Sequence, residues 1–281
     1  MDLAAIFIEP FSHDFMRSAL ALSLLIALMC GLLGSHLVPR GLSMLGDGLA
    51  HATLGGVGAA LLVGLSPGAS IWAAMPVAIG VAFGIVWLGK HANIAGDAAL
   101  GVFFAVSLAA GVAAVHVVAR RGVSVDLESL LFGNILATEP HDVWIISGLA
   151  VLFLVVNLVA GPRMAYAGFY PDMAAMSGIR VQLKEYLLMG LTAVVTVTAV
   201  RAVGVLLVSA YLVIPTVAAR LLVRRLGPMM LTGILAGVAG SAFGLILSYH
   251  LDVPTGAAMT LALGGVFAVC LLLRGMRRES R

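Results

Sequence analysis

Long apolar stretches, broken only by isolated charges and turn residues, recur along the whole chain at about 15–37, 43–64, 69–89, 96–119, 143–161, 184–200, 204–222, 229–249 and 255–273. A helix of about 20 apolar residues crosses the roughly 30 Å hydrocarbon core of a bilayer. These runs therefore predict an all-α fold, a polytopic membrane helix bundle with about nine transmembrane helices. Eight remains possible, because Arg201 and Gly204 separate the two shortest runs, which together would suit a bent or re-entrant hairpin. A membrane β-barrel would need segments of about ten residues alternating apolar and polar, and the runs do not alternate. Composition closes the other routes. Of 281 residues 62% are hydrophobic and 10% charged, against about 45–50% and 25% in soluble domains. The expectation is a single transmembrane domain over 1–281.

Orientation follows from the basic residues, which collect on the cytoplasmic side. With the N-terminus outside, nine spans put Arg40, Lys90, Arg163, Arg180, Lys184, Arg220, Arg224, Arg225, Arg274, Arg277, Arg278 and Arg281 inside, leaving Arg17, Arg120, Arg121 and Arg201 outside. The C-terminus is then cytoplasmic. Asp2 and Glu9 stand where a cleavable signal would carry basic residues, so the first apolar run is expected to stay as a membrane helix. A net charge of +3 spread over the connections argues for orientation in a membrane and against nucleic acid as a partner. Cys30 and Cys270 lie inside apolar runs and read as packing residues.

The two longest connections are 120–142, outside, and 162–183, inside. The second contains Pro171, Asp172 and Met-Ala-Ala-Met before Gly178, the start and stop signals of a short helix. Such a helix on the cytoplasmic face is a docking element or a plain connector.

Few polar side chains fall within the spans. Asp47 and His51, in SMLGDGLAHATLGG, are spaced i,i+4 and share a helix face. A carboxylate and an imidazole so placed can grip a divalent ion such as zinc or manganese, and an aspartate inside a span costs about 2.5–3.5 kcal/mol on insertion scales, so it usually has a task. The alternative is structural: Asp47 caps the helix and His51 hydrogen-bonds to a neighbour. A second cluster, SYHLDVPTGAA, places Ser248, Tyr249, His250 and Asp252 at the outer end of the eighth span. It can converge with the first on one pore, or be a turn in which Asp252 caps the last helix and His250 is interfacial. Asp97 reads as an N-cap, and His13, His36, His91, His116 and His141 as interfacial residues at span ends.

GIVWLGK at 84–90 fits the phosphate-loop spacing, but His91 replaces the Ser or Thr and the interior residues are membrane-buried. The chain also lacks H-E-x-x-H, so an intramembrane enzyme is poorly supported. GSHLVPRG at 34–41 looks like a tag remnant yet sits at a natural loop position.

In order along the chain, CGLLGSHLVPRGLSMLGDGLAHATLGGVG (30–58), DAALGVFFA (97–105), LLFGNIL (130–136), FYPDMAAMSG (169–178), VGVLLVSAYLVIPTVAARLL (203–222) and SYHLDVPTGA (248–257) resemble the ABC-3 family, permease subunits of ABC transporters that import zinc, manganese or iron. The resemblance implies a homodimeric, occasionally heterodimeric, channel in a bacterial plasma membrane, with cytoplasmic ATPase subunits below and an extracellular or periplasmic metal-binding protein above. It implies no permanently bound cofactor, the metal ion being cargo, and no enzymatic step on this chain. Asp47 and His51 become first-choice metal ligands, with Asp252 and then His250 as candidates from the second cluster. The 162–183 connection becomes the loop that couples to the ATPase, with Tyr170, Pro171, Asp172, Ala174 or Ala175, and Gly178 at the motif positions; the family's Asp at the first position is Tyr170 here. The competing reading is an ion-coupled secondary transporter acting without an ATPase, with Asp47 and Asp252 as titrating groups.

Overall fold

A computed structural model describes residues 9–92, 96–121, 135 and 140–279. Among them the regular elements are helical: α1 (Asp14–Leu37), α2 (Leu45–Leu62), α3 (Pro67–Ala73), α4 (Met75–His91), α5 (Gly96–Arg120), α6 (Pro140–Phe169), α7 (Pro171–Met176), α8 (Val181–Val203), α9 (Val205–Leu222), α10 (Leu226–Leu251) and α11 (Thr255–Glu279). Apart from Ile135, the LLFGNIL segment lies outside the described residues, as do most of the 120–142 connection and the side chains of Asp97 and His141.

Every expected span is helical, the third (69–89) as α3 and α4 together. Among the described residues eight helical stretches are long and apolar enough to cross a membrane, and α2, diluted by Asp47, His51 and its glycines, is the ninth long helix. The hairpin alternative fails: α8 and α9 are full helices of 23 and 18 residues, joined through Gly204 alone. Its φ of 80° is open to glycine and lets the chain reverse within one residue. The inner connection is also shorter than 162–183, because α6 runs on to Phe169 with Pro162 inside it. Two residues beyond the proline, the Met164 carbonyl accepts from Arg40 Nη2 at 2.5 Å, which ties the chain just after α1 to α6. A Cβ on Gly168 would collide with that guanidinium.

Neighbouring contacts fix the directions. Gly31 of α1 lies against Ile234 of α10 and Ala27 against Gly237, so the pair is antiparallel; Gly240 and Gly244 of α10 meet Leu263 and Met259 of α11 in the same sense. Lys90 Nζ pairs with Glu185 Oε2 at 3.0 Å while Phe83 meets Gly190, which makes α4 and α8 antiparallel. By contrast Gly48, Gly55 and Gly58 of α2 meet Leu100, Ser107 and Gly111 of α5 in order, a parallel pair at close approach. Small residues allow such approach in membranes, where no hydrophobic force drives helices together. The result is an alternating up-and-down bundle. Arg40, Lys90, Arg220, Arg224 and Arg274 gather at the end that carries α7. The most buried long helices are α2, α1, α8 and α9, whereas α4, α5, α6 and α11 expose most of their length.

His36 corrects an expectation. It is fully buried near the end of α1, where Asn157 Nδ2 of α6 donates to its Nε2 at 3.3 Å, because α1 continues to Leu37 inside the packed bundle and a buried imidazole needs a partner. His13, His91 and His116 are exposed, and Cys30 and Cys270 are buried free thiols, as expected.

Candidate functional site

The site is built by the way α1 hands over to α2. After Leu37 the chain makes a 3-10 turn through Val38–Arg40, and Gly41 follows with φ 77°. The Leu42 amide donates to the Leu37 carbonyl and the Gly41 amide to that of Val38, both at 3.1 Å, the Schellman pattern that closes a helix on a left-handed residue. Pro39 shares a cavity with Arg220 near the end of α9, yet Gly46 already lies against Leu212. The short connection therefore climbs eight residues back along α9, about 12 Å at 1.5 Å per residue. α2 begins inside the bundle, and its first turn carries Asp47.

That turn meets α9 and α5. Ser209 Oγ donates to Asp47 Oδ1 at 2.9 Å, and the same oxygen faces His51 Nε2 across 3.7 Å. Ser209 sits about 6 Å from the start of α9 and about 20 Å from its end, so the pair lies within the depth of a bilayer. Neither structural alternative holds. Met44 occupies the N-cap position of α2 without a side-chain cap, and Asp47 bonds to a neighbouring helix. His51 Nδ1 is buried with no hydrogen-bond partner, its ring meeting Phe104 edge-on at 4.6 Å between centroids. An Oδ1–Nε2 gap of 3.7 Å approaches the roughly 3.4 Å that separates two ligands on one tetrahedral ion with bonds of about 2.1 Å. The two side chains need little movement to share a cation.

A cavity of about 200 Å³ opens beside them, lined by Met44, Asp47, Gly48, Leu100, Gly101 and Phe104. Phe104 also begins a shallow apolar groove along α5 that ends at His116. Both open on the face left uncovered by α2 and α5. A Cβ on Gly46 or Gly48 would overlap Leu212 or Leu100, so glycine at these two positions lets the polar turn sit tightly between α9 and α5.

Asp252 and His250 do not join this pair. No group of three or more His, Cys, Asp or Glu side chains able to hold a metal forms among the described residues. Within one chain the two clusters stand apart, and the reason is topological: α2 packs on α5, α4, α9 and α8, whereas α10 packs on α11, α1 and α9, which stands between them. Asp252 is exposed and takes the left-handed conformation (φ 53°) that terminates α10. Ser248 Oγ donates to the Val253 carbonyl at 2.8 Å, and His250 is exposed against the Tyr249 ring.

At the other end of the bundle the expected short helix forms as α7. Tyr170 is its N-cap without a side-chain cap bond, and Pro171 opens its first turn with Asp172. Gly178, at φ 77°, accepts the left-handed turn in which the Ile179 amide donates to the Ala174 carbonyl at 2.9 Å. Ala174 is fully buried against the bundle, while Tyr170, Met173 and Met176 project outward, Met176 being 90% exposed. Asp172 and Ala175 are exposed as well.

Two features escaped sequence reasoning. Ser209 lies in the VGVLLVSAYLV run, and a hydroxyl in an apolar span was its signal. Arg201, on the minority side for basic charge, is neutralised by Asp142: its Nε donates to Oδ1 at 2.9 Å and its Nη2 to Oδ2 at 3.2 Å, with the guanidinium 5.7 Å from the Trp72 ring centroid.

The chain is similar over nearly its whole length to curated transport proteins. It is 32% identical over 268 residues, 95% of this chain and 90% of the relative, to the manganese transport system membrane protein MntC of Halalkalibacterium halodurans. It is 31% identical over 281 residues, 96% of this chain and 97% of the relative, to a probable iron transport system membrane protein of Haemophilus influenzae. Among solved structures it superposes on a chain of PsaBC from Streptococcus pneumoniae in complex with Fab, with a TM-score of 0.82, 28% identity and 95% of each chain covered. Residues 12–274 match the profile of the ABC 3 transport family, and the chain belongs to that family.

Proposed function

We propose that this chain is the membrane-spanning subunit of an importer that moves a divalent transition metal ion, manganese, zinc or iron, into the cytoplasm. The observation that carries the proposal is the Asp47–His51 pair: a carboxylate oxygen and an imidazole nitrogen 3.7 Å apart, with Asp47 on the wall of a cavity that opens on the α2–α5 face. Relatives named for manganese and iron transport support the same cargo class. In each chain the transport site is Asp47 and His51, with Ser209 orienting the carboxylate. Asp252 and His250, beyond α9, form a separate outer group. Two ligands suit a station on a path, because a conducting site must hold the ion weakly enough to release it.

The remaining ligands come from water and from a second copy. The α2–α5 face, with Val102 and Val106 exposed beside the Asp47 cavity, is the surface that a homodimer would bury, bringing two Asp47–His51 pairs toward one axis. α7 is the coupling element: its base is anchored by Ala174, and Met173 and Met176 offer flexible apolar contacts to a cytoplasmic ATPase subunit. A metal-binding protein delivers the ion at the opposite end. The N-terminus then lies outside and the C-terminus inside, in keeping with the basic residues gathered around α7.

The test is uptake of radiolabelled manganese and zinc by cells producing the chain with its ATPase and binding protein. Asp47→Ala and His51→Ala each lower uptake at least about tenfold, in line with loss of a metal ligand, while the assembled complex still purifies intact. Wild-type uptake in both variants would sink the site assignment, and uptake persisting without any ATPase subunit would sink the ABC mechanism.

A further inference from the structure

At the α7 end of the bundle, a cavity of about 670 Å³ lies among α9, α10, α11 and the α1–α2 turn, with Arg220, Arg224 and Arg274 on its walls. We propose that this cavity binds the phosphodiester headgroup of an anionic phospholipid.

Charge is the first argument. The three arginines are exposed, and none has a hydrogen bond or ion pair with another described residue. They converge from the last turn of α9, the α9–α10 link and the end of α11, so one concave wall presents three planar guanidinium groups. Such groups match phosphate oxygens in bidentate fashion. Nearby basic residues at the same end have found partners: Lys90 pairs with Glu185 and Arg40 with the Met164 carbonyl.

Depth is the second. Arg274 directly follows Leu271, Leu272 and Leu273, all exposed, and precedes the exposed Met276. Three consecutive exposed leucines point around the helix and mark a surface bathed by acyl chains, so Arg274 stands at the lipid–water boundary. Leu231 and Leu235 on α10 are exposed in the same way. The cavity floor is apolar, with Val217, Leu221 and Met229, and receives the glycerol and first methylenes beneath the phosphate. Basic pockets between helices at this depth are lipid headgroup sites. An acidic patch on a soluble partner would match the arginines and leave that floor unused.

The consequence for transport is proximity. Phe169 and Tyr170 form the wall nearest α7, so a seated headgroup packs against the residue that starts the coupling helix. This proposal does not depend on the metal site or on the cargo.

The experiment is titration of the purified full chain in neutral detergent with dioctanoyl-phosphatidylglycerol, with dioctanoyl-phosphatidylcholine and with inorganic phosphate. Wild type binds the anionic lipid and only weakly the other two. Replacing the three arginines by glutamine weakens phosphatidylglycerol binding about a hundredfold and Arg274→Gln alone about fivefold, and unchanged thermal melting shows that the variants fold. The proposal is overturned by equal affinity for the two lipids, by phosphatidylglycerol binding that survives the triple substitution, or by inorganic phosphate binding as tightly as the lipid. Loss of ATPase-subunit binding in the triple variant with lipid affinity intact would overturn it in favour of a protein-facing surface.

Discussion

Ser209→Ala isolates the part of the site that sequence alone did not expose. Ser209 touches Asp47 Oδ1 at 2.9 Å, the oxygen that also faces His51, so the hydroxyl fixes the carboxylate rotamer without itself reaching the cavity wall. A hydrogen bond to an ionised carboxylate contributes about 1.5–3 kcal/mol. Removing an orienting partner behind a metal ligand typically costs about 10- to 100-fold in metal affinity, and the two figures agree through 1.4 kcal/mol per decade. The substitution is therefore expected to raise the metal concentration for half-maximal uptake by about 10- to 100-fold, with maximal uptake retained at saturating ion. Ser209→Thr restores the hydroxyl and recovers most of the affinity. The assay is concentration-dependent manganese uptake into proteoliposomes holding the complete transporter. A half-saturation value unchanged in Ser209→Ala while Asp47→Asn abolishes uptake would refute the orienting role. A fall in maximal uptake with unchanged half-saturation would show that the bond matters to the conformational cycle and not to the ion.

The Asp142–Arg201 pair is buried, so Asp142→Ala is expected to destabilise the chain by up to about 3–5 kcal/mol by removing the carboxylate that the guanidinium pairs with. The double Asp142→Ala, Arg201→Ala variant loses much less than the sum of the single variants, as read from thermal melts in detergent. Gly55→Ala drives a methyl to 2.8 Å from the Ser107 carbonyl oxygen, an overpacking cost of about 1–3 kcal/mol and a lower melting temperature. Gly80→Ala, which meets nothing within 4 Å, raises the melt slightly through helix propensity, by up to about 1 kcal/mol; equal melts for the two variants would deny close α2–α5 packing. Tyr170→Asp supplies the missing N-cap of α7, worth about 1 kcal/mol, and hydrogen exchange at residues 172–174 slows about fivefold.

The long helices were legible because each must satisfy its backbone alone within lipid, so every span is written locally as an apolar run. What was not legible depends on which helices meet. His36 reads as interfacial by its position near a span end, and only Asn157, 121 residues away, makes it a core residue. Asp47 and His51 were visible as an i,i+4 pair, but Ser209 is 162 residues from Asp47 and carries no local signal beyond a polar atom in an apolar run. Asp252 shows the same limit. Its place at the end of α10 was readable, and the intervening α9 was not.

The same residues that make the site explain why α2 depends on its neighbours. Asp47, His51 and five glycines lower the hydropathy of α2 below that of the eight helices apolar enough to cross a membrane unaided. Each glycine also weakens an isolated helix by about 1 kcal/mol relative to alanine. Those glycines provide the remedy: Gly48, Gly55 and Gly58 bring α2 against α5, and the Ser209 hydroxyl of α9 meets the carboxylate. A polar helix that would insert poorly by itself is thus stabilised by helices later in the chain. It follows that α2 settles only after α5 and α9 are in place. Truncation before α9 is expected to leave Cys residues introduced at positions 47 and 51 open to water-soluble maleimide, with protection returning in the full chain. Full protection of both positions in the truncated chain would show that α2 is held by α5 alone, and would remove Ser209 from the assembly of the site.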